Sequence, residues 1–518
     1  MPALLAQRIN NAAPALFDRG RPVSYRELDG ESRRVAQGLR RLGVRAGDCV
    51  ALWLPNLPAW LAAFFGCAQL GAIAVAVNTR FRSHELADIL QRSRARVLLF
   101  WPEFKGIDFS GILAACDPQA LAGLDTFVVY GESGAPAPAT VLGKPAHAYA
   151  ALAAGAPLPA NDALPEAGCA IFTTSGTTKA PKFVLHDQRT VLRHAFEVAQ
   201  GFGIDQASTL LLAPPLCGVF GFCGAMAAFA AGRPLVMAPA WDAEQATRDL
   251  VAHRITHAIG TDEACAQLLD CNADFSSLRY FAYAAFNPAQ GDIVLRADAR
   301  GLKLVGLYGA SEIQALFARQ DERAPAAERM LGGGLPVSPA ARVRVRDPES
   351  GALLPHGGQG ELEFLAPASR MAGYHGNPAA SQEAFTGDGY YRSGDLGSTL
   401  ADGRFVFLTR MGDALRLGGF LVSPAEIEAV VQEAPGIAAC QVVAVARESG
   451  LVPVAFVVLH HSAAFDEIAV LAHVADKLAR YKIPYRVFPV DAFPVTPGAN
   501  ATKIQKSKLR EMAEALLH

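Results

Sequence analysis

Residues 25–43 (YRELDGESRRVAQGLRRLG), 49–54 (CVALWL), 59–71 (AWLAAFFGCAQLG), 72–77 (AIAVAV) and 96–100 (RVLLF) alternate helix-like runs with short apolar segments. The first run spaces its apolar residues three and four apart with charges between them, as one buried face of a helix requires. The short segments are continuously apolar and rich in β-branched residues, the pattern of strands covered on both faces. Helices alternating with such strands predict a layered α/β domain with a parallel sheet.

Outward from this stretch, 518 residues exceed what one hydrophobic core organises, so at least two domains are expected. Hydrophobic residues make up 51% and the formal charge is −2, which excludes a disordered chain and gives no global field for nucleic acid or an anionic membrane. A small-molecule ligand fits this balance better. Nine cysteines include no CxxC pair and no zinc-site spacing, so buried thiols in a reducing compartment are expected. The first residues, MPALLAQRINNAAPALFDRG, lack the basic flank and apolar run of a secretory signal, and the expected location is cytoplasmic.

Residues 207–232 (ASTLLLAPPLCGVFGFCGAMAAFAAG) carry no charge and are long enough to raise a membrane span, but Pro214-Pro215 interrupts them and leaves the length of a buried helix. The Pro/Ala/Gly-rich stretch from 134 to 165 has no sustained period and reads as a surface excursion. After about residue 405 the texture changes. TRMGDALRLGGF (409–420) precedes a helix candidate at 424–435, strand-like 441–446 and 452–460, a helical run at 468–481 and a lysine-rich end. This predicts a second, small α/β domain, with the boundary near Arg410 to Asp413, where glycine permits a change of backbone direction.

The strongest local signal is Thr173-Thr174-Ser175-Gly176-Thr177-Thr178-Lys179-Ala180-Pro181-Lys182. Small hydroxyl residues and glycine let backbone N–H groups approach phosphate oxygens, and lysine adds positive charge. The spacing is not that of a Walker loop, which disfavours an ordinary P-loop nucleotidase. Alone, a Ser/Thr-rich turn is more often only a turn. Its companions are Tyr308-Gly309-Ala310-Ser311-Glu312, Tyr391-Arg392-Ser393-Gly394-Asp395, Arg410-Met411-Gly412-Asp413 and Thr502-Lys503-Ile504-Gln505-Lys506.

In this order, and with SYRELDGESRRVAQGLRRLG and GELEFLAPASRMAGYHGNP, the five segments resemble the adenylate-forming superfamily of acyl-CoA synthetases, carrier-protein-loading adenylation domains and beetle luciferases. The resemblance spans nearly the whole chain. It implies a large N-terminal layered α/β domain with an additional β subdomain (1–410) that binds ATP and the acid, and a small mobile C-terminal α/β domain (411–518). It also implies activation of a carboxylic acid to an acyl-adenylate, then thioester formation, with ATP, Mg²⁺ and CoA. The resemblance assigns the ATP phosphates to Thr173–Thr178 with Lys182, an adenine stack to Tyr308 beside Gly309 and Ser311, and Mg²⁺ to Glu312 with Thr174. Asp395 is assigned the ribose hydroxyls with Arg410 nearby, and Lys503 the bridge between substrate carboxylate and α-phosphate. Gly412 takes the hinge position, and Gly418 and Gly419 leave room for a pantetheine arm. Taken one at a time, Tyr308 reads more readily as core filling, Glu312 and Asp395 as loop acids, and Lys182, Arg410 and Lys503 as surface charges; only the ordered set reverses that reading.

Three departures from the family pattern stand out. Lys179 and Phe183 replace loop glycines, Gly218 stands where relatives often have His, and Thr502 precedes the C-terminal lysine in place of glycine. The acyl pocket is expected along 213–224, 257–261, 282–287 and 332–336, with Cys217, Gly218, Gly260, Ala285, Gly333 and Gly334 lining it. This small, apolar set favours an aliphatic or aromatic monocarboxylic acid over an amino acid. Two alternatives accompany the acyl-CoA synthetase reading: a stand-alone enzyme loading an acyl carrier protein, and a nucleotide-binding regulatory protein without catalysis.

Overall fold

The computed structural model describes every residue except 133–135, 162, 175–180, 287–289, 413–414, 418–419, 448–449, 462, 479, 498–501 and 518. The amphipathic run predicted at the start forms the helix Tyr25–Arg41. Ser24 accepts from the Glu27 N–H and the Glu27 carboxylate accepts from the Ser24 N–H, a reciprocal cap that satisfies two orphan donors. Its buried face (Tyr25, Leu28, Ser32, Val35, Ala36, Leu39) lies on the helix Pro58–Leu70, almost every residue of which is buried. The two helices approach so closely that a Cβ on Gly66 would stand 3.1 Å from the Ser32 carbonyl oxygen, which is why glycine occupies the crossing.

The apolar segments become the parallel strands Cys49–Trp53, Ile73–Ala76 and Val97–Phe100 of a nine-stranded sheet, joined by Thr126–Val129 and by Gly168–Thr173. From Gly168–Thr173 the chain turns back antiparallel as Phe183–Asp187, and Gly373–Tyr374 adds an antiparallel edge. The stretch expected to be a periodless excursion differs: it supplies Lys144–Ala148, parallel to Thr126–Val129, and the short helix Tyr149–Ala153, whose Tyr149 and Leu152 are buried. Alanine and proline hid this because a short strand next to the sheet's edge, here Thr140–Val141, needs few apolar residues.

A second, thirteen-stranded sheet runs parallel through Leu235–Met237, Leu210–Leu212, His257–Thr261, Tyr280–Ala284 and Leu304–Tyr308. It then continues antiparallel through Ala318–Arg319, Gly332–Pro336, Phe405–Arg410, Tyr391–Thr399, Gly360–Leu365 and Arg342–Arg346. The uncharged stretch at 207–232 divides between a strand of this sheet and the buried helix Val219–Ala231, and among the described residues no helix is long and apolar enough to cross a membrane.

The last hundred residues have a core of their own. Ile437–Arg447, Gly450–Leu459 and Arg486–Pro489 form one sheet; Cys440, Val442, Ala455 and Val457 face the helices Pro424–Gln432 and Glu467–Ala475. The alternate residues Val443, Val445, Val454 and Phe456 meet Leu509 and Ala513 of the helix Lys506–Leu517.

Where the antiparallel strands meet the parallel ones, Gly334 has φ +95° and a Cβ there would lie 2.0 Å from the Arg319 carbonyl oxygen. Gly412, by contrast, has nothing within 4 Å of its Cβ position. Gly334→Ala is expected to lower unfolding stability by about 2 kcal/mol or more, and Gly412→Ala by no more than about 0.5 kcal/mol, as read from urea midpoints.

Candidate active site

The loop between Gly168–Thr173 and Phe183–Asp187 is closed at its neck by two hydrogen bonds. Thr174 N–H donates to the Lys182 carbonyl at 3.0 Å, and Lys182 N–H donates to Thr174 Oγ1 at 3.2 Å. Arg92 fastens the exit, donating to the Pro181 carbonyl at 2.8 Å while its guanidinium lies 4.3 Å from the Phe183 ring centroid. Phe183 is buried in the core between sheet and helices, so the replacement of a loop glycine by phenylalanine anchors the hairpin. Ser175, Gly176, Thr177, Thr178 and Lys179 lie outside the described residues.

At the C-terminal end of Leu304–Tyr308 the chain folds tightly on itself. A Cβ on Gly309 would stand 2.6 Å from the Ala315 Cα, and Gln314 and Leu316 both have positive φ. Two buried imidazoles hold this turn. His186 Nε2 lies 2.8 Å from the Ser311 carbonyl and His194 Nε2 lies 2.7 Å from the Ala315 carbonyl. A carbonyl only accepts, so both Nε2 atoms carry the hydrogen and both Nδ1 atoms, which are buried without a partner, do not. Burial pushes both histidines down to about 4, keeping them neutral.

Between these clasps sits Glu312, 8% exposed. Its carboxylate accepts from Tyr374 Oη at 2.8 Å, its carbonyl accepts from Met371 N–H at 2.8 Å, and the Lys182 ammonium lies 4.6 Å from the Tyr374 ring centroid. Thus the lysine that ends the loop and the acid of the turn meet across one tyrosine.

Tyr308 points the other way. One face of its ring lies on Phe364, with Phe405 at its edge, and its hydroxyl donates to Asp395 Oδ2 at 2.5 Å. Asp395 and Arg410 are opposed across adjacent strands, and Arg410 Nη1 comes within 3.0 Å of Asp395 Oδ1 without the alignment of a hydrogen bond, leaving that buried oxygen unsatisfied. Burial pushes the Asp395 carboxyl above its ordinary range, with Arg410 opposing.

The expected acyl-pocket residues are placed differently from one another. Asn56 clamps the segment before Cys217, donating to the Pro214 carbonyl at 3.3 Å and accepting from Leu216 N–H at 2.7 Å. Cys217 is buried and Gly218 caps the helix Val219–Ala231. Ala285 is exposed beside Phe286, whose N–H donates to Asp262 at 2.8 Å. At Gly260, Gly333 and Gly334 an added Cβ would meet the Phe281 ring, the Phe405 carbonyl and the Arg319 carbonyl respectively, so close packing requires glycine at all three.

The Gly412 carbonyl accepts from Arg510 at 3.4 Å, and Gly418 and Gly419 lie outside the described residues. Lys503 lies on Thr502–Ile504, paired with Thr496; its side chain falls outside the described residues. Sequence reasoning missed His186, His194 and Tyr374. Tyr374 stood inside the quoted GYHGNP segment, which was the available signal; a histidine on an apolar strand gave none.

A family model described as AMP-binding enzyme matches residues 6–375, and one described as AMP-binding enzyme C-terminal domain matches 426–499. The chain is 31% identical to a 3-hydroxybenzoate–CoA/4-hydroxybenzoate–CoA ligase of Thauera aromatica, covering 97% of this chain and 94% of the relative. It is 28% identical to a long-chain-fatty-acid–CoA ligase of Mycobacterium tuberculosis, over 95% and 93%. Among solved structures, an anthranilate CoA ligase in complex with anthranoyl-AMP superposes with a TM-score of 0.83 at 25% identity, covering 100% of this chain and 97% of that one.

His186, His194 and His257 all titrate near 4 when folded and near 6.5 when unfolded. The unfolded chain therefore binds more protons between these values, so stability is full above about pH 6.5 and falls as pH drops toward 4. Urea unfolding across this range should show that slope, and His194→Gln should reduce it by up to about one proton.

Proposed function

We propose, from the premise that this chain belongs to the AMP-binding enzyme family and is an AMP-forming acid–CoA ligase, that it activates an aromatic or aliphatic monocarboxylic acid through the residues gathered at the end of the strand Leu304–Tyr308. The observation that carries this reading is the meeting of Lys182, Glu312, Tyr308, Asp395 and Arg410 around one turn, although they come from four distant segments. Open α/β sheets bind ligands at such carboxyl ends.

A carboxylate is a poor electrophile, because its charge repels nucleophiles and oxide leaves badly. One carboxylate oxygen attacks the α-phosphorus of ATP, the bond to the bridging oxygen breaks and pyrophosphate leaves. The thiol of CoA then attacks the carbonyl carbon of the mixed anhydride, losing its proton as the C–S bond forms and AMP leaves. Catalysis is positioning and electrostatics, with no protein nucleophile.

Asp395, already oriented by Tyr308, has an unsatisfied buried oxygen ready to accept a ribose hydroxyl. An adenine would approach the face of Tyr308 opposite Phe364. The phosphates would lie against the loop from Thr173 to Thr178 with Lys182. For Mg²⁺ the donor chemistry fits: Glu312 offers a hard carboxylate oxygen, the kind of ligand that holds this ion together with substrate phosphates. When bound, it neutralises charge on the transferring phosphate. Lys503 supplies the charge that bridges carboxylate and α-phosphate, and rotation of the small C-terminal unit about Gly412 brings Gly418 and Gly419 in for the thioester step.

The test is pyrophosphate release from ATP and Mg²⁺ with a panel of aryl, fatty and amino acids, with and without CoA, products being identified by mass. Acyl-CoA is the expected product; adenylate that transfers only to a carrier protein, or silence throughout, overturns the reading. Lys503→Ala should lower adenylate formation at least about a hundredfold and leave thioester formation from preformed adenylate largely intact; equal loss of both would place the two steps on the same lysine.

A further inference from the structure

The Tyr374 side chain touches both Glu312 and Lys182, and none of the roles assigned so far uses it. Its position is fixed from several sides. It pairs with Val184 on the strand that follows Lys182, the flanking His375 N–H donates to the Phe183 carbonyl at 2.8 Å, and its own N–H donates to Ser381 Oγ at 2.8 Å. Three residues earlier, Met371 N–H donates to the Glu312 carbonyl. The segment Met371–His375 therefore ties the exit of the phosphate loop to the acid turn through main chain, and Tyr374 does so again through its side chain. The residue is 5% exposed, so its hydroxyl must find a partner inside the protein. Tyr308, whose hydroxyl is committed to Asp395, does not compete for Glu312.

We infer that Tyr374 is a positioning residue for the adenylation step: its hydroxyl orients the Glu312 carboxylate for a divalent cation, and its ring face seats the Lys182 ammonium until nucleotide phosphates replace it. This rests on the reading of Glu312 as a metal ligand and Lys182 as a phosphate contact. A hydrogen bond to one carboxylate oxygen fixes the plane of the group and directs the other oxygen, which is how outer partners tune a metal site. The ring quadrupole holds a cation without a hydrogen bond, so the ammonium is kept in place yet leaves readily for a phosphate.

The two halves of the inference separate in two variants. Tyr374→Phe keeps the ring and its packing and removes only the hydroxyl; Tyr374→Leu removes both. ATP binding to the full chain is measured by calorimetry with and without Mg²⁺, alongside the Mg²⁺ dependence of pyrophosphate release, and circular dichroism checks the fold. Tyr374→Phe is expected to weaken the Mg²⁺-dependent gain in ATP affinity about tenfold and leave metal-free ATP affinity unchanged. Tyr374→Leu should alter metal-free affinity as well, and Glu312→Gln should abolish the metal-dependent gain, with no further loss in the Glu312→Gln, Tyr374→Phe double variant. A Tyr374→Phe protein that matches wild type while Glu312→Gln loses the gain overturns the positioning role. Metal dependence that survives Glu312→Gln overturns instead the underlying reading of Glu312. Metal-free affinity unchanged in Tyr374→Leu removes the seat for Lys182.

Discussion

Buried main-chain carbonyls must be satisfied, and the site depends on how two of them are. The turn after Tyr308 is tight and irregular, with positive φ at Gln314 and Leu316, and its own N–H groups reach its carbonyls only at long range, Gln314 to Ser311 at 3.4 Å. Two imidazoles from the neighbouring strand and helix add closer donors, at 2.8 Å to Ser311 and 2.7 Å to Ala315. A donor from the backbone of Met371 takes a third, that of Glu312. The strained turn is over-determined from outside, and the carboxylate it carries is held by the hydroxyl of Tyr374. Because both histidines are sealed from water they stay neutral, so the support does not vary with pH in the range where the chemistry would run.

Much of this was legible in the sequence. The alternation between 25 and 100 gave the parallel sheet because both of its signals, a helical face and two-sided apolar strands, are local. The motifs around Lys182, Glu312 and Asp395 were readable as a set because their order along the chain is itself information. What escaped was non-local. Why Gly260, Gly333 and Gly334 must be glycine depends on the approach of Phe281, Phe405 and Arg319, residues that spacing alone cannot bring together. The same holds for Tyr374, whose value lies in a partner 62 positions away, and for the strand Lys144–Ala148, which exists because Thr126–Val129 is there to pair with.

The departures from the family pattern also change meaning once placed. Phe183, a puzzle as the replacement of a loop glycine, is a core residue under Arg92 and ties the loop to the sheet. Gly218 opens a helix whose first turn is packed on Pro214-Pro215, a Cβ on Gly221 lying 2.3 Å from the Pro215 carbonyl oxygen. The sequence there is constrained by backbone proximity as much as by any ligand.

The small C-terminal sheet is covered on one face by Pro424–Gln432 and Glu467–Ala475 and on the other by Lys506–Leu517. Its apolar interior is therefore closed without help from the large domain. A body built this way keeps its own oil from water whatever its neighbours do. The contact that Arg510 of its last helix makes with the Gly412 carbonyl is polar and draws nothing from that interior.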